Sequence, residues 1–124
     1  MSETGDKGGG SQGGAHLQPN AEMAALRLRI DALDEALVGI LAQRQRQIEQ
    51  AAAIKTQIGW PARIPPRVDE VLARVLTEAG RQNLDAELAQ KLWTAIIEWS
   101  IAYEERLMNA SKTQANAGAP REGQ

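Results

Sequence analysis

The chain has 124 residues, 43% hydrophobic and 24% charged, a length and composition that fit one globular domain. Fourteen Lys and Arg stand against 16 Asp and Glu, for a formal charge of -2, so no polybasic run points to nucleic acid or an anionic membrane as partner. Cysteine is absent and the single histidine, His16, lies in a Gly-rich stretch, which excludes thiol nucleophiles, disulfides, thiolate zinc sites and a buried histidine base.

Six of the 11 glycines fall within residues 1–14, and so polar a tract cannot bury enough apolar surface to offset its ordering entropy. Residues 1–19 are therefore expected to form a flexible tail, and residues 109–124, NASKTQANAGAPREGQ, a second one. No apolar run reaches the roughly 20 residues of a membrane span, and the N-terminus has no apolar stretch that could serve as a signal peptide. The expectation is a cytoplasmic protein with no membrane partner. Between the tails, residues 20–108 contain no alternating β-branched run, so the fold class is all-α.

Three helices are predicted in that segment. Asn20 after Pro19 supplies an N-cap and Glu22 an acid in the first turn, so the first helix starts near Ala21. Apolar residues recur at Leu26, Ile30, Leu33, Leu37, Ile40 and Leu41, then at Ile48, Ala51, Ala52 and Ile54, and Gly59-Trp60-Pro61 ends the run. Pro65-Pro66 starts a second helix on Val68, Val71, Leu72, Val75 and Leu76, with Gly80 as its expected C-cap. Asp85 caps a third, with Leu88, Leu92, Ile96, Trp99, Tyr103 and Leu107 on one face, ending near Met108. At about 1.5 Å per residue the first helix spans roughly 57 Å, well beyond the roughly 25 to 30 Å of a compact globule of this size. Two shorter helices cannot cover its stripe. Antiparallel pairing of two long helices in a homodimer would bury both stripes, and a coiled-coil or interaction module satisfies the same periodicity.

Charges interrupt the stripe. Arg44 stands where the series of Ile30 and Leu37 next calls for an apolar knob, so it needs a partner or a ligand. Lys55, 11 residues on, falls within about 20° of Arg44 on the same face, roughly 16 Å along the axis. Ile48, Ala51 and Ala52 floor the trough between them, which suits a compact apolar molecule with anionic groups. From Ala36 to Arg67 there are five basic residues, Arg44, Arg46, Lys55, Arg63 and Arg67, against one acid, Glu49. Arg27 lies about 25 Å before Arg44 along the helix, so within one chain the two cannot clamp one small ligand, whereas across an antiparallel dimer they can. On the third helix Ser100 and Glu104 are one turn apart and share a face. Read plainly, Arg27 and Lys55 are surface charges and Ser100 and Glu104 a solvated face.

These residues give the sequence its resemblance to a known family. LRLRIDALDEALVGILAQR from Leu26, AAAIK from Ala51, PPRV from Pro65, the NLD start of the third helix and LWTAIIEWSIAYE from Leu92 resemble the all-helical class of chorismate mutases and their relatives, the isochorismate pyruvate lyases. The resemblance implies an intertwined homodimer with two identical sites, a small-molecule substrate and no cofactor or metal. It implies that Arg44 and the partner chain's Arg27 hold the substrate's two carboxylates, and that Lys55 contacts a carboxylate and the ether oxygen of the breaking bond. Arg67 then matches the family's loop arginine, Ser100 the hydroxyl of the third helix, and Glu104 the hydrogen-bond donor to the ether oxygen. The implied reaction is the pericyclic conversion of chorismate to prephenate, which needs conformer selection and charge stabilisation but no nucleophile. Ile64 and Val68 stand where many mutases carry acids that hold the ring hydroxyl, and there the sequence is similar to the lyase subgroup. Isochorismate pyruvate lyase, a mutase of aminated chorismate and a non-catalytic helical dimerisation module are the alternatives.

Overall fold

The computed structural model describes residues 18–118, and three α-helices make up nearly all of them: α1, Pro19–Ile58; α2, Pro65–Arg81; and α3, Ala86–Gly118. No strand occurs among the described residues. The chain is all-helical, and its first helix, of 40 residues, is long as the uninterrupted periodicity requires. Of the tail expected over residues 1–19, residues 1–17 lie outside the described part, and so do residues 119–124 of the second.

Each helix end has an identifiable cause. Pro19, which needs no intrahelical N–H partner, opens α1, and Asn20 Oδ1 accepts from the Ala21 N–H at 2.8 Å rather than capping a later turn. Gly59 ends the helix at φ +75°, and the Trp60 N–H reaches back to the Lys55 carbonyl at 3.0 Å, closing the last turn that carries Lys55. Ile64 is extended, as the residue before a proline must be, and Pro65 and Pro66 occupy the first turn of α2. That turn fixes the directions of Arg67 and Val68, whose N–H groups both bond to the Ile64 carbonyl.

Two expectations at the far ends are corrected. Gly80 does not end α2; the helix runs to Arg81, and Asn83 takes the left-handed conformation at φ 59°. The Asn83 N–H bonds to Gly80 O and the Leu84 N–H to Ala79 O, a Schellman arrangement three residues beyond the expected glycine, because asparagine also tolerates positive φ. Likewise α3 does not end at Met108 but continues to Gly118. Residues 109–117 hold no proline or glycine and several alanines, so the helix is prolonged by propensity alone, with every side chain from Asn109 to Ala115 exposed. Asp85 caps α3 as expected, its Oδ2 accepting from the Leu88 N–H at 3.0 Å.

The described residues divide between Ala42 and Gln43 into two compact units, with α1 contributing to both. In the first, the stripe of Met23, Leu26, Ile30, Leu33, Leu37 and Ile40 is exposed, Leu33 to 69%. In the second, α2 packs on α3, and Ala62, Ile97 and Ile101 form a small core against Val68, Val71, Trp93 and Met108. The face of α3 that is covered therefore differs from the expected one. Ala89, Ile97, Ser100, Ile101 and Glu104 are buried, whereas Leu88, Leu92 and Trp99 stay 41–47% exposed. The packed face is one residue, about 100°, around from the most apolar stripe, and it carries the polar pair Ser100 and Glu104, whose burial is tolerated because Arg44 and Lys55 bond to them.

Candidate functional site

A cavity of about 560 Å³ opens within the second unit, lined from α1 by Arg44, Gln47, Ile48, Ala51 and Lys55, and from α2 by Arg67, Val68 and Val71. From α3 come Ile97, Ser100, Ile101 and Glu104, and the loop between α1 and α2 closes the rest with Trp60, Ala62 and Ile64. Five of the six residues singled out from sequence thus share one cavity. Arg27 belongs to the first unit, is exposed and does not line it.

The polar groups are organised at two ends. At one, Arg44 Nη1 donates to Ser100 Oγ at 2.8 Å, and that hydroxyl donates in turn to the Ile96 carbonyl at 2.7 Å. Ser100, only 4% exposed, is thereby locked as an acceptor facing Arg44, which aims the guanidinium. Burial, and then the like charge of Arg67, hold the Arg44 pKa below its usual value, while the Glu104 carboxylate partly offsets both. Arginine remains a cation under any of these influences. At the other end Lys55 Nζ donates to Glu104 Oε1 and to the Ala62 carbonyl, both at 2.7 Å. The pair is largely desolvated, with side chains 17% and 5% exposed, so each partner satisfies a charge that burial alone would make costly. Arg67, by contrast, is mostly exposed and donates to Glu70 at 2.8 Å, one turn along α2.

Two features outside the cavity hold α1, α3 and the loop in register. Tyr103 donates to Glu49 at 2.7 Å, and this bond, then burial, raises the phenol pKa. Glu49 is the one acid among the cations of this stretch, and it is spent on the neighbouring helix rather than on Arg44 or Lys55. Arg63 grips Glu98 with two bonds of 3.0 and 2.6 Å, tying the loop that presents the Ala62 carbonyl to α3.

Sequence periodicity placed Ile48 and Ala51 on the floor, and both line it. Ile96, on the face of the third helix expected to be the apolar one, does not line the cavity; Ile97 and Ile101 do, because the covered face of α3 is the neighbouring one. Gln47, Trp60 and Val71 were missed. Gln47 is three residues from Arg44 and so one turn along the same side, a signal available in the sequence, while Trp60 arrives through a loop whose path no periodicity describes.

The arrangement can hold a compact dianion: cations stand at both ends, the walls between them are apolar, and a buried carboxyl sits beside the lysine. Residues 26–105 match the family described as chorismate mutase type II, a range that includes all six candidate residues. The bifunctional chorismate mutase/prephenate dehydratase of Escherichia coli K12 is 30% identical over 99 residues, 80% of this chain and 26% of that protein. The T-protein of Enterobacter agglomerans is 30% identical over 84 residues, 68% of this chain and 22% of its own length. The chorismate mutase of Methanocaldococcus jannaschii is 24% identical over 93 residues, 75% of this chain and 94% of the relative. The chain spans about a quarter of the length of the bifunctional relatives and nearly all of the archaeal one.

Proposed function

This chain belongs to the chorismate mutase type II family, and on that footing we propose that it isomerises chorismate to prephenate in the cavity between α1, α2 and α3. The observation that carries the reading is the juxtaposition of Lys55 with Glu104, 2.7 Å apart and largely buried, in a cavity whose other end holds Arg44 on Ser100. The reaction breaks a C–O bond and forms a C–C bond within one molecule, so nothing need attack or leave. The protein's task is to hold the reactive conformer and to stabilise negative charge growing on the ether oxygen. In this reading Arg44 holds one carboxylate and Lys55 meets the other together with the ether oxygen. Arg67 adds a cation at the mouth, and Glu104 donates a hydrogen bond to the ether oxygen when protonated. Ile48, Ala51, Ile97 and Ile101 keep water from the reacting atoms. Such an enzyme belongs in the cytoplasm, since a dianionic substrate does not cross a membrane unaided.

The proposal includes a homodimer. The first unit of the chain leaves an apolar stripe uncovered from Met23 to Ile40, and a second copy of α1 running antiparallel would cover it and bring Arg27 of the partner subunit to the substrate. Mixing Arg27→Ala chains with Arg44→Ala chains tests this. Each variant alone should be at least 100-fold slower than wild type, and mixing should restore part of the activity, because heterodimers hold one site with neither lesion. Absence of any recovery in mixed, exchanged chains would remove Arg27 from the site.

One observation favours a second reading. The wall made by Ile64 of the loop and by Val68 and Val71 of α2 offers no side-chain acceptor for a ring hydroxyl, which also fits an isochorismate pyruvate lyase. Incubation with chorismate and, separately, with isochorismate distinguishes them by product: prephenate in the first case, salicylate and pyruvate in the second. A helical dimerisation module would yield neither.

A further inference from the structure

We propose that Gln47 is a further substrate-binding residue, its side-chain amide donating to the carboxylate that Arg44 holds; this rests on the mutase reading above. Gln47 lines the cavity one turn along α1 from Arg44, a spacing at which side chains are neighbours. Lys55 is eight residues further, roughly 12 Å along the axis, so Gln47 serves the Arg44 end of the cavity.

The hydrogen-bond inventory leaves Gln47 as the unbonded side-chain donor on the α1 wall of the cavity. Arg44 is bonded to Ser100, Ser100 to the Ile96 carbonyl, Lys55 to Glu104 and the Ala62 carbonyl, and Arg67 to Glu70. Among the described residues the Gln47 amide bonds to nothing, although it stands at the wall of a cavity that attracts anions. A carboxylate has about four acceptor directions, of which a guanidinium fork fills two. The remaining ones need donors. Ser100 cannot supply one, because its single proton goes to Ile96.

Charge explains why the donor is an amide. Arg44 already feels burial and the repulsion of Arg67, both of which act against its charge. A third cation at position 47 would add to that repulsion in the empty site, and an acid there would bind Arg44 itself and exclude the substrate. A neutral amide donates without doing either.

The test compares wild type with Gln47→Leu, which keeps the size and removes the donor, on chorismate and on each of its two monomethyl esters as competitive inhibitors. A bond to a charged acceptor far from the reacting atoms should appear in ground-state binding, so KM for chorismate should rise about 10- to 100-fold with kcat within about twofold. One ester, the one in which the carboxylate on Arg44 is blocked, should lose nothing further in Ki on going to Gln47→Leu, while the other should weaken as chorismate does. Gln47→Glu should raise KM beyond Gln47→Leu. An unchanged KM in Gln47→Leu overturns the proposal, as does an equal weakening of both esters, which would mark a general loosening of the cavity mouth. Failure of the wild type to form prephenate overturns the mutase reading itself and is visible before any variant is made.

Discussion

Lys55→Ala is expected to lower kcat by about 10² to 10³, the effect of removing one preorganised charged donor from a developing oxyanion, about 3 to 4 kcal/mol. The geometry makes the lysine unusually fixed: two acceptors, Glu104 and the Ala62 carbonyl, hold its ammonium at 2.7 Å. A group so placed needs no reorganisation when charge appears on the ether oxygen. The same substitution strands Glu104, whose side chain is 5% exposed, so loss of activity could be mistaken for loss of structure. The double variant Lys55→Ala/Glu104→Gln removes that ambiguity, since it leaves no buried charge. It should melt as a folded protein and still turn over slowly. A single variant with unchanged kcat and only a raised KM would show that Lys55 attracts the dianion and does no more.

Glu104→Gln is expected to flatten the dependence of kcat/KM on pH, because an amide donates a hydrogen bond under all conditions and a carboxylate does not. The reason is hydrogen-bond polarity. A carboxylate only accepts, and the ether oxygen needs a donor; only the protonated acid supplies one, with Oε1 still receiving the Lys55 proton. The charged groups that face Glu104 are Arg44 and Lys55 from α1, with Arg67 of α2 beside Arg44. An amide keeps an acceptor for Lys55 and donates at every pH. Steady-state profiles of kcat/KM for the two proteins decide the matter, and superimposable curves would take Glu104 out of the chemistry while leaving Lys55 and Arg44 in it.

How much of this was legible in the sequence depends on which interaction sets each feature. Local chemistry was readable: Gly59, the Pro65-Pro66 pair and Asp85 mark helix ends because their backbone preferences act within a turn. Where two residues compete for one local role, as Gly80 and Asn83 do, the position of the last helical turn decides, and it lay outside what residue type reveals. The 11-residue spacing of Arg44 and Lys55 placed both on one cavity wall by helix geometry alone. The face of α3 was misjudged because two apolar series interleave there, and the one with larger side chains is not the one packed within the chain. Ser100 and Glu104, which look like a solvated face, are 4% exposed each because the partners that make their burial tolerable, Arg44 and Lys55, sit on another helix about 50 residues away.

The small size of the buried positions has a thermodynamic consequence. Four of the six buried apolar residues are alanines, Ala52, Ala62, Ala79 and Ala89, and no large side chain among the described residues is fully screened from solvent. Alanine burial contributes little of the area-proportional stabilisation that offsets chain entropy. If a second copy covers the exposed leucines and isoleucines of α1, most of the free energy holding this chain together is intermolecular. Unfolding and dissociation then become a single equilibrium with the dimensions of a concentration. The midpoint of thermal denaturation would climb with each tenfold increase in protein, and a Tm measured on a dilute sample would describe the law of mass action as much as the fold.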